Sequence, residues 1–169
     1  MSRISHKTDQ IKPSATIQVS MKAMELKAQG RDIVSLGAGE PDFDTPKHIC
    51  DAAIAAIRGG QTRYTQVDGT PALKEAIIGK FHRENELDFE ANQIIVSNGA
   101  KQSLYNLMVA LLNPGDEVIV PAPYWVSYPD MVKLADGQPA ILAGTAEHDY
   151  KITARELQNT LNDNTRMLI

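Results

Sequence analysis

Ile94-Ile95-Val96-Ser97-Asn98-Gly99-Ala100-Lys101-Gln102 is the stretch whose reading decides the fold. Three apolar residues, two of them isoleucine, predict a buried strand. Asn98-Gly99 turns the chain, and Lys101 to Leu112 carries a helical pattern. The same alternation follows downstream. Asn113-Pro114-Gly115-Asp116 breaks the helix, and Glu117-Val118-Ile119-Val120 predicts a strand. Tyr124 to Leu134 predicts a helix and Pro139-Ala140-Ile141-Leu142 a strand. Thr153 caps a helix reaching Leu161, and Arg166-Met167-Leu168-Ile169 begins another strand. Strands alternating with helices predict an α/β fold with a parallel sheet and right-handed crossovers. An apolar strand of such a sheet is covered on both faces and followed by a helix. The expectation is therefore a domain continuing past Ile169; an edge strand closing a complete domain is the alternative.

Upstream the text is different. The first dozen residues are polar and aperiodic and read as an arm. A helix is predicted over Ser14 to Gln29, with Ser14 as cap, Gly30 as its left-handed exit, and Ile17, Met21, Met24 and Ala28 on one face. Asp32 to Leu36 is a short strand candidate running into Gly37-Ala38-Gly39-Glu40-Pro41. Thr45 caps a helix that has Pro46 in its first turn and runs to about Arg58. Thr70 caps another, with Pro71 following and Leu73, Ile77 and Phe81 as its stripe.

Composition bounds the function. A length of 169 residues is enough for a sizeable core. With 17 basic against 21 acidic residues, the chain is too acidic to suggest nonspecific nucleic-acid binding. One cysteine, Cys50, excludes an internal disulfide framework and fits a reducing compartment; without a visible base it reads as a buried structural thiol. The longest wholly apolar runs, Ala52 to Ile57 and Leu107 to Leu112, are too short to span a membrane, and the N-terminus has no apolar signal core. A cytoplasmic protein is the expectation. The four histidines have no metal-ligand spacing, and no G-x-S-x-G elbow occurs.

Four segments can carry chemistry. Ser97 to Gln102 places Gly99 and Lys101 where a helix N-terminus attracts an anion, above all a phosphate. It has neither P-loop nor G-x-G-x-x-G spacing, so a plain strand-to-helix turn stands beside that reading. Pro121-Ala122-Pro123-Tyr124-Trp125 follows the next strand, at the sheet edge where ligands bind. Its Trp125, the only tryptophan, suits a flat ring or a partly buried core, and Pro123 is a candidate cis residue. The loop from Leu36 to Pro46 either admits a small substrate beside its glycines or simply connects. Tyr64, ahead of Asp68-Gly69, offers a hydroxyl or is a surface tyrosine.

Together, in order and spacing, Leu36-Gly37-Ala38-Gly39-Glu40-Pro41-Asp42-Phe43-Asp44-Thr45-Pro46, Tyr64 with Asp68-Gly69, Ser97-Asn98-Gly99-Ala100-Lys101-Gln102 and Pro123-Tyr124-Trp125-Val126-Ser127-Tyr128-Pro129 resemble the class-I pyridoxal-phosphate aminotransferases. The likeness is in particular to the bacterial aspartate aminotransferases, including the subgroup that also accepts prephenate, and it runs from about Ile11 onward. The resemblance implies fold type I, with a parallel-sheet large domain and a small domain built from both chain ends. Residues 1–45 would be the arm and a small-domain segment. Residues 46–169 would be the first part of the cofactor-binding domain.

By that resemblance, Gly99, Ala100 and Lys101 would hold the phosphate of pyridoxal 5′-phosphate with their backbone. Trp125 would stack on its ring and touch the substrate. Gly39 would lie against the substrate carboxylate, and Tyr64 would reach the phosphate of a neighbouring subunit in a homodimer. The Ala122–Pro123 bond would be a candidate cis peptide. Lys12 lies where some prephenate-accepting members place a substrate-contacting lysine; a solvated charge is the competing reading.

The family's Schiff-base lysine in S-x-x-K, the S-P-x-N-P-T-G asparagine, the aspartate beside the ring nitrogen and the two carboxylate-binding arginines have no counterpart here. The expectation is an N-terminal portion, inactive alone and poorly soluble. The complete enzyme would exchange an amino group between an amino acid such as aspartate and 2-oxoglutarate. The alternatives are a non-catalytic chain pairing with a full-length aminotransferase, or a stand-alone phosphate-binding α/β domain.

Overall fold

The computed structural model describes residues 3–37 and 39–169. Met1 and Ser2 of the predicted arm, and Ala38 within the predicted Leu36–Pro46 loop, lie outside the described residues. The chain forms two compact units: residues 1–39 with 104–169, and residues 40–103.

The first unit is built on a three-stranded parallel sheet. Strand β1 (Glu117–Ala122) lies between β2 (Gln138–Ala143) and β3 (Thr165–Leu168). Val118 faces Pro139 on one side and Met167 on the other, with an irregularity in the β3 register beside Glu117. The parallel sheet expected from the sequence is therefore present, and each of its strands falls where an apolar run was read.

Helices α4 (Ala100–Leu111), α5 (Ser127–Leu134) and α6 (Ala154–Thr160) alternate with these strands. Helix α4 starts in the second unit and ends in the first. The core joins Met108 and Leu112 to Val118 and Val120 of β1 and to Met131, Val132 and Ala135 at α5. Ile119, between the two valines, is equally buried; β1 alternates its side chains and is covered on both faces, as a central parallel strand must be.

Asp116 closes the break before β1. Its carboxylate accepts from the Asn113 N–H at 2.8 Å and from Arg166 Nε at 3.1 Å, and its carbonyl accepts from the Gln138 N–H at 2.8 Å. One acidic residue thus ties the end of α4 to both neighbouring strands. The Asn113 N–H first, and then Arg166, hold its carboxyl below the ordinary range. On α6, Thr153 and Glu156 form the reciprocal cap: Thr153 Oγ1 accepts from the Glu156 N–H at 3.2 Å, and Glu156 accepts from the Thr153 N–H at 2.7 Å.

Helix α1 (Ala15–Ala28) corrects one expectation. Ser14 stands at its cap, but the hydroxyl makes no cap hydrogen bond. The stripe of Ile17, Met21 and Met24 is exposed. Val19, Ala23 and Leu26, on the opposite side, share a hollow with residues 33–37. Apolar residues recur at helical spacing on both faces, so periodicity alone did not choose between them. Asp32 to Leu36 is extended but unpaired, not a strand. The arm is not featureless either. His6–Gln10 is a short 3-10 helix, and Lys7 bonds Asp136 at 2.7 Å and the Leu134 carbonyl at 3.3 Å.

The second unit holds α2 (Lys47–Arg58) and α3 (Pro71–Asn85). Pro46, not Thr45, occupies the α2 cap; its carbonyl accepts from Ile49 and Cys50 at 2.9 and 3.2 Å, with no side-chain cap. Thr70 caps α3 as expected, accepting from the Leu73 N–H at 3.4 Å with Pro71 in the first turn. Cys50 is half-buried, not buried, and its thiol points to the Thr45 carbonyl at 3.5 Å. Ile94 to Ser97 is extended but forms no ladder. Its Val96 N–H donates to the Asp68 carbonyl at 3.0 Å, and Ile95 is exposed, so the buried strand expected there is absent. No described helix is long and apolar enough to cross a membrane.

Candidate functional site

The turn before α4 is set by Gly99. Its φ of +84° is a conformation that favours glycine. The Gly99 N–H donates to the Ser97 carbonyl at 2.8 Å, and its own carbonyl accepts from Gln102 and Ser103 at 3.1 and 3.4 Å. The backbone therefore folds directly into the helix. Gln102 reaches back, its Oε1 accepting from the Asn98 N–H at 2.5 Å. Ala100 opens the helix, at the end where backbone N–H groups point outward along the axis. No atom lies within 4 Å of the position a Gly99 Cβ would take, so the turn faces open space. An anion can approach the main chain there, and the positive end of a three-turn helix favours it.

Tyr64 lies in the same unit and is fully exposed. A hollow of about 470 Å³ brings it together with Thr65, Val96, Ser97, Asn98 and Gln102. Two of the four segments singled out in the sequence thus line one cavity.

Pro121 to Trp125 lies in the first unit, whereas Leu36 to Pro46 runs from the first unit into the second. Trp125 precedes α5, in a loop where a helix had been expected from Tyr124; α5 begins only at Ser127. The indole is 43% exposed and meets the Tyr128 ring edge-on, 5.5 Å between centroids at 88°. That arrangement packs the indole against Tyr128 and leaves part of the residue accessible. The Ala122–Pro123 bond before it is cis, as the resemblance implied. Lys12 lines a second hollow, of about 760 Å³, with Ser14, Tyr124, Ser127, Asp130 and Lys133. Gly39 has nothing within 4 Å of its Cβ position.

Sequence reading missed two features beside these residues. One is the Gln102 side chain closing on Asn98. The other is an ion pair between Lys74 and Asp68 at the turn carrying Gly69. The second has no local signal, since the two residues lie on a loop and a helix and share no periodicity.

Comparison with known proteins assigns the class. The family model described as "Aminotransferase class I and II" matches residues 31–169. The chain belongs to that family. It is 54% identical over 167 residues to the aspartate/prephenate aminotransferase of Nitrosomonas europaea, a match covering 99% of this chain and 42% of that protein. It is 52% identical over 166 residues to the aspartate aminotransferase of Bacillus sp. strain YM-2, covering 98% of this chain and 42% of the relative. Among solved structures it superposes on the aspartate aminotransferase of Thermus thermophilus with maleate at a TM-score of 0.94, with 45% identity over 99% of this chain and 44% of that one. The chain therefore spans less than half the length of the relatives it matches.

The class implies pyridoxal 5′-phosphate as cofactor. The residues present fit its two ends separately. The open Gly99 turn and the start of α4 suit a phosphate, and the accessible indole of Trp125 suits a flat ring.

Proposed function

We propose that this chain contributes the phosphate-holding and ring-stacking part of an aspartate aminotransferase. The complete protein would move an amino group between aspartate, or a similar amino acid, and 2-oxoglutarate. The open helix start at Gly99-Ala100-Lys101 carries the reading, supported by the family match over residues 31–169.

In this reading the Ala100 N–H and the backbone beside it bind the phosphate and anchor one end of the cofactor. Trp125 covers a ring face and excludes water from it. Gly39 leaves room for a substrate carboxylate beside the main chain, and Lys12 lends positive charge to a substrate with a second acidic group. Tyr64 adds a hydroxyl to a phosphate site across a homodimer interface. Bound pyridoxal phosphate supplies the electron sink that lets an amino acid lose its α-proton. Residues 1–45 belong to the arm and small domain, residues 46–169 to the large domain, and the protein works in the cytoplasm.

Two measurements test the reading. Purified chain, given pyridoxal phosphate, aspartate and 2-oxoglutarate, is expected to make no oxaloacetate at an enzymatic rate, since the chain has no S-x-x-K segment. Oxaloacetate formed at such a rate would show that catalysis needs none of the missing groups. The nucleotide sequence after the Ile169 codon is expected to run on into S-P-x-N-P and S-x-x-K. An immediate stop codon would end the proposal that a complete transaminase is encoded.

A further inference from the structure

Lys74 is a buried lysine, its side chain 9% exposed, in the first turns of α3. An ammonium group is costly to bury unless it is paired. Its Nζ meets the carboxylate of Asp68, which is half exposed. The hydrogen bond from Lys74 holds the Asp68 carboxyl below its ordinary range.

Asp68 is gripped from its other side as well. Its carbonyl accepts from the Val96 N–H at 3.0 Å. The next residue, Gly69, has φ +109°, and the place of its missing Cβ lies 2.5 Å from Val96 Cγ2 and 3.8 Å from Lys74 Cγ. The turn at Asp68-Gly69 is thus pressed between the helix bearing Lys74 and the extended segment bearing Val96. That segment leads directly into Ser97-Asn98-Gly99. The turn itself follows Tyr64, and both edges line the same hollow. Lys74 does not line it, so a direct contact with a ligand there is not its task.

We propose that Lys74 and Asp68 are a positioning pair that clamps the turn 68–70 onto Val96 and thereby fixes the backbone entering the anion site at Gly99. The inference rests on the phosphate reading above and deepens it. A pair that merely adds stability would lower the unfolding midpoint when broken and leave the preference for a phosphate intact. A positioning pair changes that preference in protein that is still folded.

The test uses the 169-residue chain and two probes, pyridoxamine 5′-phosphate and pyridoxamine. Neither has an aldehyde, so surface lysines cannot capture them covalently. Equilibrium dialysis gives both affinities, and their ratio isolates the phosphate. The unaltered chain is expected to bind the phosphate ester more tightly. Lys74→Met and Asp68→Asn are each expected to shrink the ratio roughly tenfold, the size of loss common for outer partners of a binding group. Lys74→Arg is expected to keep most of it. Circular dichroism establishes which variants are folded. Because Asp68 is half exposed, Asp68→Asn carries the test if Lys74→Met does not fold. A folded Asp68→Asn chain with the unaltered ratio overturns the positioning role while leaving the phosphate site standing. Equal affinities in the unaltered chain overturn the phosphate site, and the pair's role with it.

Discussion

Replacing Gly69 by alanine probes the close approach around which the candidate site is organised. Two penalties are expected. At φ +109° an alanine is held in a sparsely populated region at a cost of ~1–3 kcal/mol. Its methyl group would also stand 2.5 Å from Val96 Cγ2 and 2.9 Å from Val96 Cβ. Carbon atoms pack best about 3.5–4.0 Å apart, so Val96 or the turn must move by roughly 1 Å. Overpacking of this kind costs ~1–3 kcal/mol. Val96 cannot easily yield, because its branched Cβ is one of the two atoms struck and cannot be moved by a rotamer change. Gly99→Ala separates the two penalties. Gly99 also has positive φ, +84°, but nothing lies within 4 Å of its Cβ position. It should pay the backbone penalty alone, so the difference between the two variants, ~1–3 kcal/mol, measures the clash.

Urea unfolding followed by circular dichroism gives both values by linear extrapolation. The two glycines lie in the same unit, so the same transition reports on both. Hydrogen exchange at the Val96 amide supplies a local check, since that N–H donates to the Asp68 carbonyl at 3.0 Å. If the methyl group lifts the turn, this amide exchanges faster. Gly69→Ala costing no more than Gly99→Ala, with Val96 protection unchanged, would refute the close approach and the clamp argued from it.

Met108→Ala removes a fully buried side chain packed against Val118, Val120 and Val132, and is expected to cost ~2–5 kcal/mol in urea unfolding. Thr153→Ala deletes the hydroxyl that accepts from the Glu156 N–H; a loss of about 1 kcal/mol is expected, and no change in the unfolding midpoint would discount the cap. Asp116 has a folded pKa below its unfolded value. Its contribution is therefore complete above the unfolded value of about 4 and is lost as pH falls through the lower, folded one. Unfolding midpoints measured from pH 7 downward should stay level in this respect and then drop, and Asp116→Asn should make the acid limb shallower.

What could be read in the sequence followed from how local each signal is. Thr70-Pro71 and Thr153 with Glu156 specify caps within four residues, and both helices begin where they were expected. Val118-Ile119-Val120 is a β-branched run between Asp116 and Pro121, and the strand read at Glu117 to Val120 is the central strand β1. Asn98-Gly99 demanded a turn, and the φ of Gly99 supplies it. Failures came where the answer depends on a second segment. Ile94 to Ser97 has the composition of a buried strand, yet a strand also needs a ladder, and the described residues offer it only the Asp68 carbonyl. Helix α1 carries apolar residues on two faces, and which one meets residues 33–37 is a tertiary fact. Tyr124 to Val126 lacks any residue that forbids a helix, but the chain leaves β1 through a cis proline and turns regular only at Ser127.

The candidate site divides along the same line. Trp125 was legible as a candidate because it follows a strand end, where topology alone predicts ligands; Gly99, Ala100 and Lys101 were legible as candidates because Asn98-Gly99 leads into a helix N-terminus. Lys74 was not, because a lysine in a helix reads as a solvated charge until its surroundings are known. Burial reverses that reading. An exposed lysine at this position could be exchanged for any polar residue at little cost, whereas a buried one requires Asp68 to stay ionised and in place. The requirement runs both ways: the carboxylate fixes the lysine, the lysine fixes the turn, and the turn sets where Val96 hands the chain to Gly99. A candidate turn whose own residues are mostly open to solvent is thus held from behind by a buried charge outside the hollow it lines.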